Sequence, residues 1–84
     1  MAYKLYIANL PYKVTESQIH DLFSRAGEIV EIDLAIDHET RLTRGYGFIH
    51  MATEDGATEA IRLFNRQLMG DRQLIVSEAI RQSE

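Results

Sequence analysis

The sequence predicts an α+β fold in which a four-stranded antiparallel sheet carries two helices on one of its faces. Three observations lead to this prediction. In four short segments, apolar residues alternate with polar or aromatic ones, as in the strands of a half-buried sheet. Two further segments carry apolar residues at helical spacing behind a capping threonine. The order is strand, helix, strand, strand, helix, strand, which places both helices on one face and leaves the other face open.

The ends of the first strand and first helix are marked by specific residues. The segment 4–8 predicts a strand that stops at Asn9-Leu10-Pro11-Tyr12, because proline fixes its own backbone and restricts the residue before it. Thr15-Glu16-Ser17-Gln18 has the pattern of a capping box, which predicts a helix over residues 15–25 that stops at Gly27. Its apolar stripe consists of Ile19, Leu22, Phe23 and Ala26.

The next strand is predicted over residues 29–36. Alternation places Asp33 and Ala35 on one of its faces, and the opposite face carries Ile32, Leu34 and Ile36. Residues 37–43 are rich in charge, and we expect them to form a mobile polar connection to a third strand over residues 44–51.

The second helix is predicted over residues 53–64, with Thr53 as its cap. Its buried stripe consists of Ala57, Ala60, Ile61 and Phe64. A turn-rich connection over residues 65–71 leads to a fourth strand over residues 73–77, in which Leu74 and Val76 face inward and Ile75 faces outward. This βαββαβ order is that of the ferredoxin-like fold.

Composition limits the classes of function. The 84 residues fit one small domain over residues 1–84, with residues 79–84 expected to form a mobile tail. The absence of cysteine excludes a disulfide framework, a thiolate zinc site and an iron–sulfur cluster. No apolar run approaches the ~20 residues that span a bilayer, and no signal peptide is apparent. We therefore expect a soluble protein without cofactor, metal or membrane contact, cytoplasmic, or nuclear if the chain is a fragment of a eukaryotic protein.

The overall charge of the chain is unfavourable for binding nucleic acid. The formal net charge is -4 and the sequence pI is about 5.3, whereas nucleic-acid-binding domains usually carry a basic surface. The two predicted helices hold five acidic residues against two arginines, a net charge of −3. Most of the negative charge is therefore expected on the helices, away from the open face of the sheet.

The segment Arg44-Gly45-Tyr46-Gly47-Phe48-Ile49-His50-Met51 carries the main functional signal. If it is a strand, Tyr46, Phe48 and His50 point to one face, and the apolar set that a core needs points to the other. Two rings in line behind an arginine can stack bases and hold a phosphate. The glycines weaken strand propensity, so they indicate a need for close approach or free space at Gly45 and Gly47.

A second alternating segment, Leu5-Tyr6-Ile7-Ala8-Asn9-Leu10, adds Tyr6 to the same face. Together the two segments resemble the hexamer and octamer signatures of the RNA recognition motif (RRM) family. The octamer pattern is matched from Arg44 to Phe48, whereas Ile49 replaces the usual valine and Met51 replaces an aromatic residue. Both departures fall on the inward face and leave the contact residues unchanged. The compact chain further resembles the small one-domain RRM proteins of bacteria, particularly cyanobacteria.

This resemblance implies a ligand and four contact residues. The ligand is single-stranded RNA, about two to four nucleotides long, with single-stranded DNA as a weaker expectation. Tyr6 and Phe48 would each stack one base, Tyr46 would lie against the sugars between them, and Arg44 would pair with a phosphate. We expect the protein to be a monomer.

Several other residues are secondary candidates for RNA contact: Lys4, Asn9, Asp33, Arg41, His50, Ile75 and Glu78. Lys4 and Arg41 fit either phosphate contacts or solvated charges, and His50 fits either a stacking surface or an exposed histidine. Asn9 is expected to stabilise a turn more than to read a base. Asp33 and Glu78 are expected on the open face, where they either weaken binding by repelling phosphate or select sequence by accepting from base amino groups.

Two other functions compete with RNA binding. Catalysis is disfavoured because His20, His38 and His50 are scattered over different elements, and no carboxylate pair or glycine-rich phosphate loop is present. A protein-interaction module is the alternative that stays open, because an open sheet face carrying several rings and Ile75 is also an apolar patch that a protein partner could cover.

Overall fold

The computed structural model describes residues 3–79, so the predicted mobile tail lies outside the described residues from residue 80 onward. Its helices and strands have the following bounds: β1 Lys4–Ala8, α1 Glu16–Phe23, β2 Ile29–Ile36, β3 Thr43–Met51, α2 Glu54–Phe64, β4 Leu68–Met69, β5 Arg72–Gln73 and β6 Ile75–Glu78.

The main sheet contains four antiparallel strands in the order β2-β3-β1-β6. β1 and β3, the strands that carry the two signature segments, are therefore adjacent at its centre. The predicted α+β fold, with two helices and a four-stranded sheet in βαββαβ order, is confirmed.

The core lies between the sheet and the two helices. It takes the inward side chains of the central strands, including Leu5, Ile7 and Ile49, all of which are fully buried. Phe23 of α1 and Phe64 of α2 meet in this core with ring centroids 4.8 Å apart. Full burial of such side chains contributes about 1.5–3 kcal/mol each, so the helices are held on this face of the sheet.

Both helices begin at the predicted caps. The Thr15 hydroxyl accepts from the Gln18 amide at 3.1 Å, and the Gln18 side chain accepts in return from the Thr15 amide at 3.0 Å. Thr53 caps α2 through the Gly56 amide at 2.9 Å. α1 ends at Phe23, two residues earlier than predicted, because the amides of Arg25 and Ala26 donate three residues back in a tighter final turn.

The structure shows a separate reason for the presence of each of the two glycines in the octamer segment. Gly45 has φ +99°, a left-handed conformation that side chains rarely adopt, and it lies where the pairing of β3 with β2 shifts. At Gly47 a Cβ atom would lie only 2.8 Å from the Asp33 carbonyl oxygen on the neighbouring strand. The close approach expected from these glycines is present at Gly47, whereas the left-handed backbone at Gly45 was not predicted.

The connection after α2 differs from its prediction. Residues 65–71 were expected to form a turn-rich connection without strands, but Leu68 pairs with Gln73 and Met69 with Arg72 in a small hairpin. Gly70, with φ +66°, makes the turn possible. The fourth strand of the main sheet accordingly begins at Ile75 instead of at residue 73. Two-residue strands are too short to show a hydrophobic period, which is why the pattern missed them.

The connection between β2 and β3 is closed by hydrogen bonds. The Asp37 amide donates to the Leu42 carbonyl, and the Arg41 amide donates to the Asp37 carbonyl, both at 2.8 Å. The Asp37 carboxylate also accepts from the amides of Glu39 and Thr40, at 2.8 and 3.1 Å. The segment that was expected to be a mobile connection thus has the internal bonding of a defined turn.

Candidate nucleic-acid interface

Three aromatic rings lie together on the sheet face opposite the helices. The pairing of β1 with β3 sets Tyr6 opposite Phe48 and Ala8 opposite Tyr46. The Tyr6 ring centroid lies 5.6 Å from that of Phe48 and 6.4 Å from that of Tyr46. We call these residues the ring triad: Tyr6, Tyr46 and Phe48. The structure therefore brings together the rings that alternation assigned to one face.

The three ring planes of the ring triad are inclined to one another and do not form one flat surface. The Tyr6 plane is inclined by 40° to that of Tyr46 and by 50° to that of Phe48. Tyr46 is 38% exposed, and the other two rings are half-buried by their neighbours on the sheet. Inclined rings offer separate faces to separate bases, so this geometry suits the stacking of successive unpaired nucleotides.

Lys4 and His50 extend this patch along β1 and β3, where they lie opposite each other. The Lys4 ammonium is placed over the Phe48 ring, 4.7 Å from its centroid. A base that stacks on that side of Phe48 must displace it. An exposed cation–π contact is worth about 0.5–1 kcal/mol, less than the roughly 1–3 kcal/mol of base stacking. A stacking base can therefore displace the Lys4 ammonium from the Phe48 ring, and the displaced positive charge would then lie beside that base.

The β2 edge of the open face is acidic. Asp33 lies opposite Phe48, as alternation predicted for its face, and Glu31 lies opposite His50. Both side chains are exposed. Glu31 was missed, although it stands two residues before Asp33 within the predicted strand and the same alternation identifies it.

Glu78 does not share this face. In the pairing of β6 with β1 it lies opposite Leu5, an inward residue, and it stands two positions after the inward Val76. Ser77, opposite Tyr6, occupies the outward position instead. The prediction that Glu78 lies on the open face was wrong because it broke the strand's own alternation. Ile75 does face outward, beside Ala8, and is 49% exposed.

Asn9 and Arg41 both have left-handed backbones, with φ of 61° and 66°. The Asn9 amide group donates to the Gln73 carbonyl and accepts from the Arg72 guanidinium, each at 2.7 Å. These bonds occupy the side chain in joining β1 to the hairpin. Arg41 borders a shallow depression beside the start of α1, together with Lys13 and Glu16.

Arg44 is exposed near the end of the open face. Its positive charge acts on Asp37, whose pKa is held below the ordinary value chiefly by the amides of Thr40 and Glu39 and to a smaller degree by Arg44. Because its two backbone bonds favour the ionised form, Asp37 stays a carboxylate at neutral pH.

None of the helices within residues 3–79 is both long and apolar enough to cross a membrane. Within the same range, no three histidine or acidic side chains are grouped so as to hold a metal ion.

The family model described as the RNA recognition motif matches residues 5–75. The chain belongs to the RRM family. This membership confirms the family that the hexamer and octamer segments indicated. At the level of the family it also points to RNA recognition and not to catalysis.

Individual relatives agree with this assignment. The chain is 36% identical over 74 residues to RNA-binding protein CP33, chloroplastic, from Arabidopsis thaliana, an alignment covering 88% of this RRM chain and 22% of that protein. It is 38% identical over 80 residues to polyadenylate-binding protein 4 of the same plant, covering 95% of this chain and 12% of that one. The chain thus spans less than a quarter of either relative.

A similar solved structure is described as the Rna15 RRM with bound RNA (GU). Its TM-score is 0.90 at 27% identity, and the match covers 100% of this RRM chain and 89% of that chain. The structural likeness therefore extends over a nearly complete RRM.

Proposed function

We propose that the chain binds single-stranded RNA through the open face of its sheet. The observation that carries this proposal is the ring triad, whose centroids are spaced by 5.6 and 6.4 Å on a face that neither helix covers. Membership of the RRM family and a closely similar solved structure described with bound RNA support the same ligand. Single-stranded nucleic acid is favoured because a duplex hides the faces of its bases.

Each member of the ring triad receives a role in this proposal. Tyr6 and Phe48 each stack one base, and Tyr46 lies against the sugars between them. Arg44 holds a phosphate, for which its forked donors are suited. Two stacked bases at roughly 1–3 kcal/mol each, with one ionic contact, give about micromolar affinity after the costs of association.

The acidic edge modifies this binding. Asp33 stands opposite Phe48, so a base on that ring lies within reach of a carboxylate. The carboxylate either repels the neighbouring phosphates or accepts a hydrogen bond from a base amino group, and the two effects differ in their dependence on sequence. The histidine at position 50, between Glu31 and Lys4 in the pairing, is a further candidate contact.

Ile75 favours a second candidate function. It is 49% exposed on the open face and next to Ala8, so it extends the ring triad with an aliphatic surface that RNA does not require. A protein partner could cover this surface, either in place of RNA or beside it.

The test is a titration with random pools of six-nucleotide RNA, with matching single-stranded DNA as a second arm. Phe48→Ala and Tyr6→Ala should each weaken RNA binding roughly 5- to 150-fold, the equivalent of one lost stack. Leu63→Ala is the control, since Leu63 is a large apolar side chain on α2 that is 37% exposed and lies outside the ring triad. The control should stay within about twofold of the parent chain, as surface substitutions usually do.

Two results would remove the proposal. One is no detectable RNA binding by the parent chain at about 100 μM and low salt, a concentration well above the expected dissociation constant. The other is binding that both ring substitutions leave unchanged. If RNA fails to bind, the open face with Ile75 becomes the candidate surface for a protein partner.

A further inference from the structure

A cleft of about 300 Å³ opens at the end of the central strands, next to the ring triad. β1 reaches it at Asn9, directly after Ala8, and β3 reaches it at Gly45, directly before Tyr46. The Leu10 amide donates to the Gly45 carbonyl at 3.0 Å and closes the floor between the two strands. An RNA strand lying on the ring triad would therefore meet this cleft as it passes Tyr46.

Two arginines line the cleft, Arg44 from β3 and Arg72 from β5. No carboxylate is among its lining residues. Within the described part of the chain, Arg62 forms an ion pair with Glu59, whereas Arg44 and Arg72 form none. In a chain whose formal net charge is -4, two guanidinium groups facing one cavity mark a local site for an anion.

Arg72 is held in place by Asn9. Its Nη1 donates to the Asn9 side-chain oxygen at 2.7 Å, while the Asn9 amide nitrogen donates to the Gln73 carbonyl at 2.7 Å. A guanidinium has five N–H donors, so this bond fixes Arg72 and leaves most of its donors for a ligand. A charged group that is already positioned loses less conformational entropy on binding.

Tyr12 gives the cleft an aromatic wall. It lines the same cavity and is 60% exposed, more than any member of the ring triad. The Lys13 ammonium lies 5.8 Å from its ring centroid. Anion-binding donors beside an accessible ring are the combination that a nucleotide needs, with its phosphate on the arginines and its base on the ring.

We propose that this cleft binds one further nucleotide of the RNA strand, with its phosphate between Arg44 and Arg72 and its base against Tyr12. The inference rests on the proposed RNA binding and extends it from the ring triad to the end of the sheet. It assigns a ligand contact to Tyr12 and Arg72, which lie outside the two signature segments.

The experiment compares RNA pools of three, four, five and six nucleotides, together with three-nucleotide pools extended at either end by one abasic nucleotide. The parent chain should gain about tenfold in affinity on one extension that reaches the cleft, as expected for one added stack and one phosphate contact. The abasic extension should keep about threefold of that gain, because it supplies the phosphate without the base.

Two variants separate the parts of the cleft. Arg72→Gln should lose the abasic gain and keep the further gain from the base on Tyr12, and it should lower the salt dependence of six-nucleotide binding by about 0.7 in log–log slope, the value for one phosphate on a single strand. Tyr12→Ala should keep the abasic gain and lose the base gain. Arg25→Gln is the control for charge, because Arg25 is exposed near the end of α1 and its loss changes the net charge equally.

Different results would overturn the cleft proposal and the proposal of RNA binding. If Arg72→Gln and Tyr12→Ala weaken three- and six-nucleotide pools by the same factor, or no more than Arg25→Gln does, the cleft proposal is overturned while RNA binding stands. Absence of RNA binding by the parent chain overturns both. Tyr12→Ala leaves the bond between Asn9 and Arg72 intact, so it tests the cleft even if Arg72→Gln unfolds the hairpin.

Discussion

Replacement of Asn9 tests how the end of β1 is built. Asn9 holds φ 61°, and its amide group bonds both to Gln73 and to Arg72. In Asn9→Ala the left-handed backbone costs about 1–2 kcal/mol. Loss of the two hydrogen bonds adds about 1 kcal/mol, the low end of the usual range because both are exposed to water. We expect the free energy of unfolding to fall by about 2–3 kcal/mol.

Asn9→Gly separates the two contributions. Glycine adopts the left-handed backbone without strain, so this variant loses the hydrogen bonds and some chain entropy, about 1–2 kcal/mol in total. Urea unfolding followed by circular dichroism measures both variants. The alanine variant should be the less stable by about 1 kcal/mol. Equal stabilities, or a more stable alanine variant, would show that the left-handed backbone at Asn9 carries no cost and would refute the reasoning.

Two further predictions concern acidic residues. The pKa of Asp37 is held below its ordinary value of 3.8 by the amides of Thr40 and Glu39, with help from Arg44. The ionised group therefore contributes stability above pH 3.8 that is lost as the pH falls through the lowered pKa. Asp37→Asn should flatten this part of the pH dependence of the free energy of unfolding, measured with urea. An unchanged pH dependence would contradict this. Asp33→Asn should strengthen binding of random six-nucleotide RNA at low salt by up to about fivefold, since it removes a negative charge near the phosphates. Weaker binding confined to some sequences would instead mean that the carboxylate reads a base.

The central part of the fold could be predicted because its signals are local and periodic. β1 and β2 have the bounds that alternation predicted, and proline and the capping threonines mark where neighbouring elements start or stop. The faces of Tyr6, Tyr46 and Phe48 followed from the two-residue period of a strand. The same period also predicts that Glu31 faces outward and that Glu78 faces inward. The omission of Glu31 and the wrong face for Glu78 were therefore errors in applying the period.

Other features had no local signal. The β4–β5 hairpin consists of two-residue strands, and no period can be seen in so few residues. The bond between Asn9 and Arg72 joins residues 63 positions apart, and the cleft that it shapes depends on where the hairpin meets the end of β1. Tyr12 appeared in the sequence only as part of a turn, and its place beside two arginines required the fold.

The central claim is that RNA lies on the ring triad, and the most direct measurement is a titration of the ¹⁵N-labelled chain with six-nucleotide RNA pools, followed by amide and aromatic NMR shifts. We predict that the largest changes fall on β1 and β3, at Tyr6, Tyr46 and Phe48 and their paired neighbours. Residues on the exposed sides of α1 and α2, such as Leu63, should shift little. Changes concentrated on the helices, with the three rings unaffected at saturation, would contradict the account.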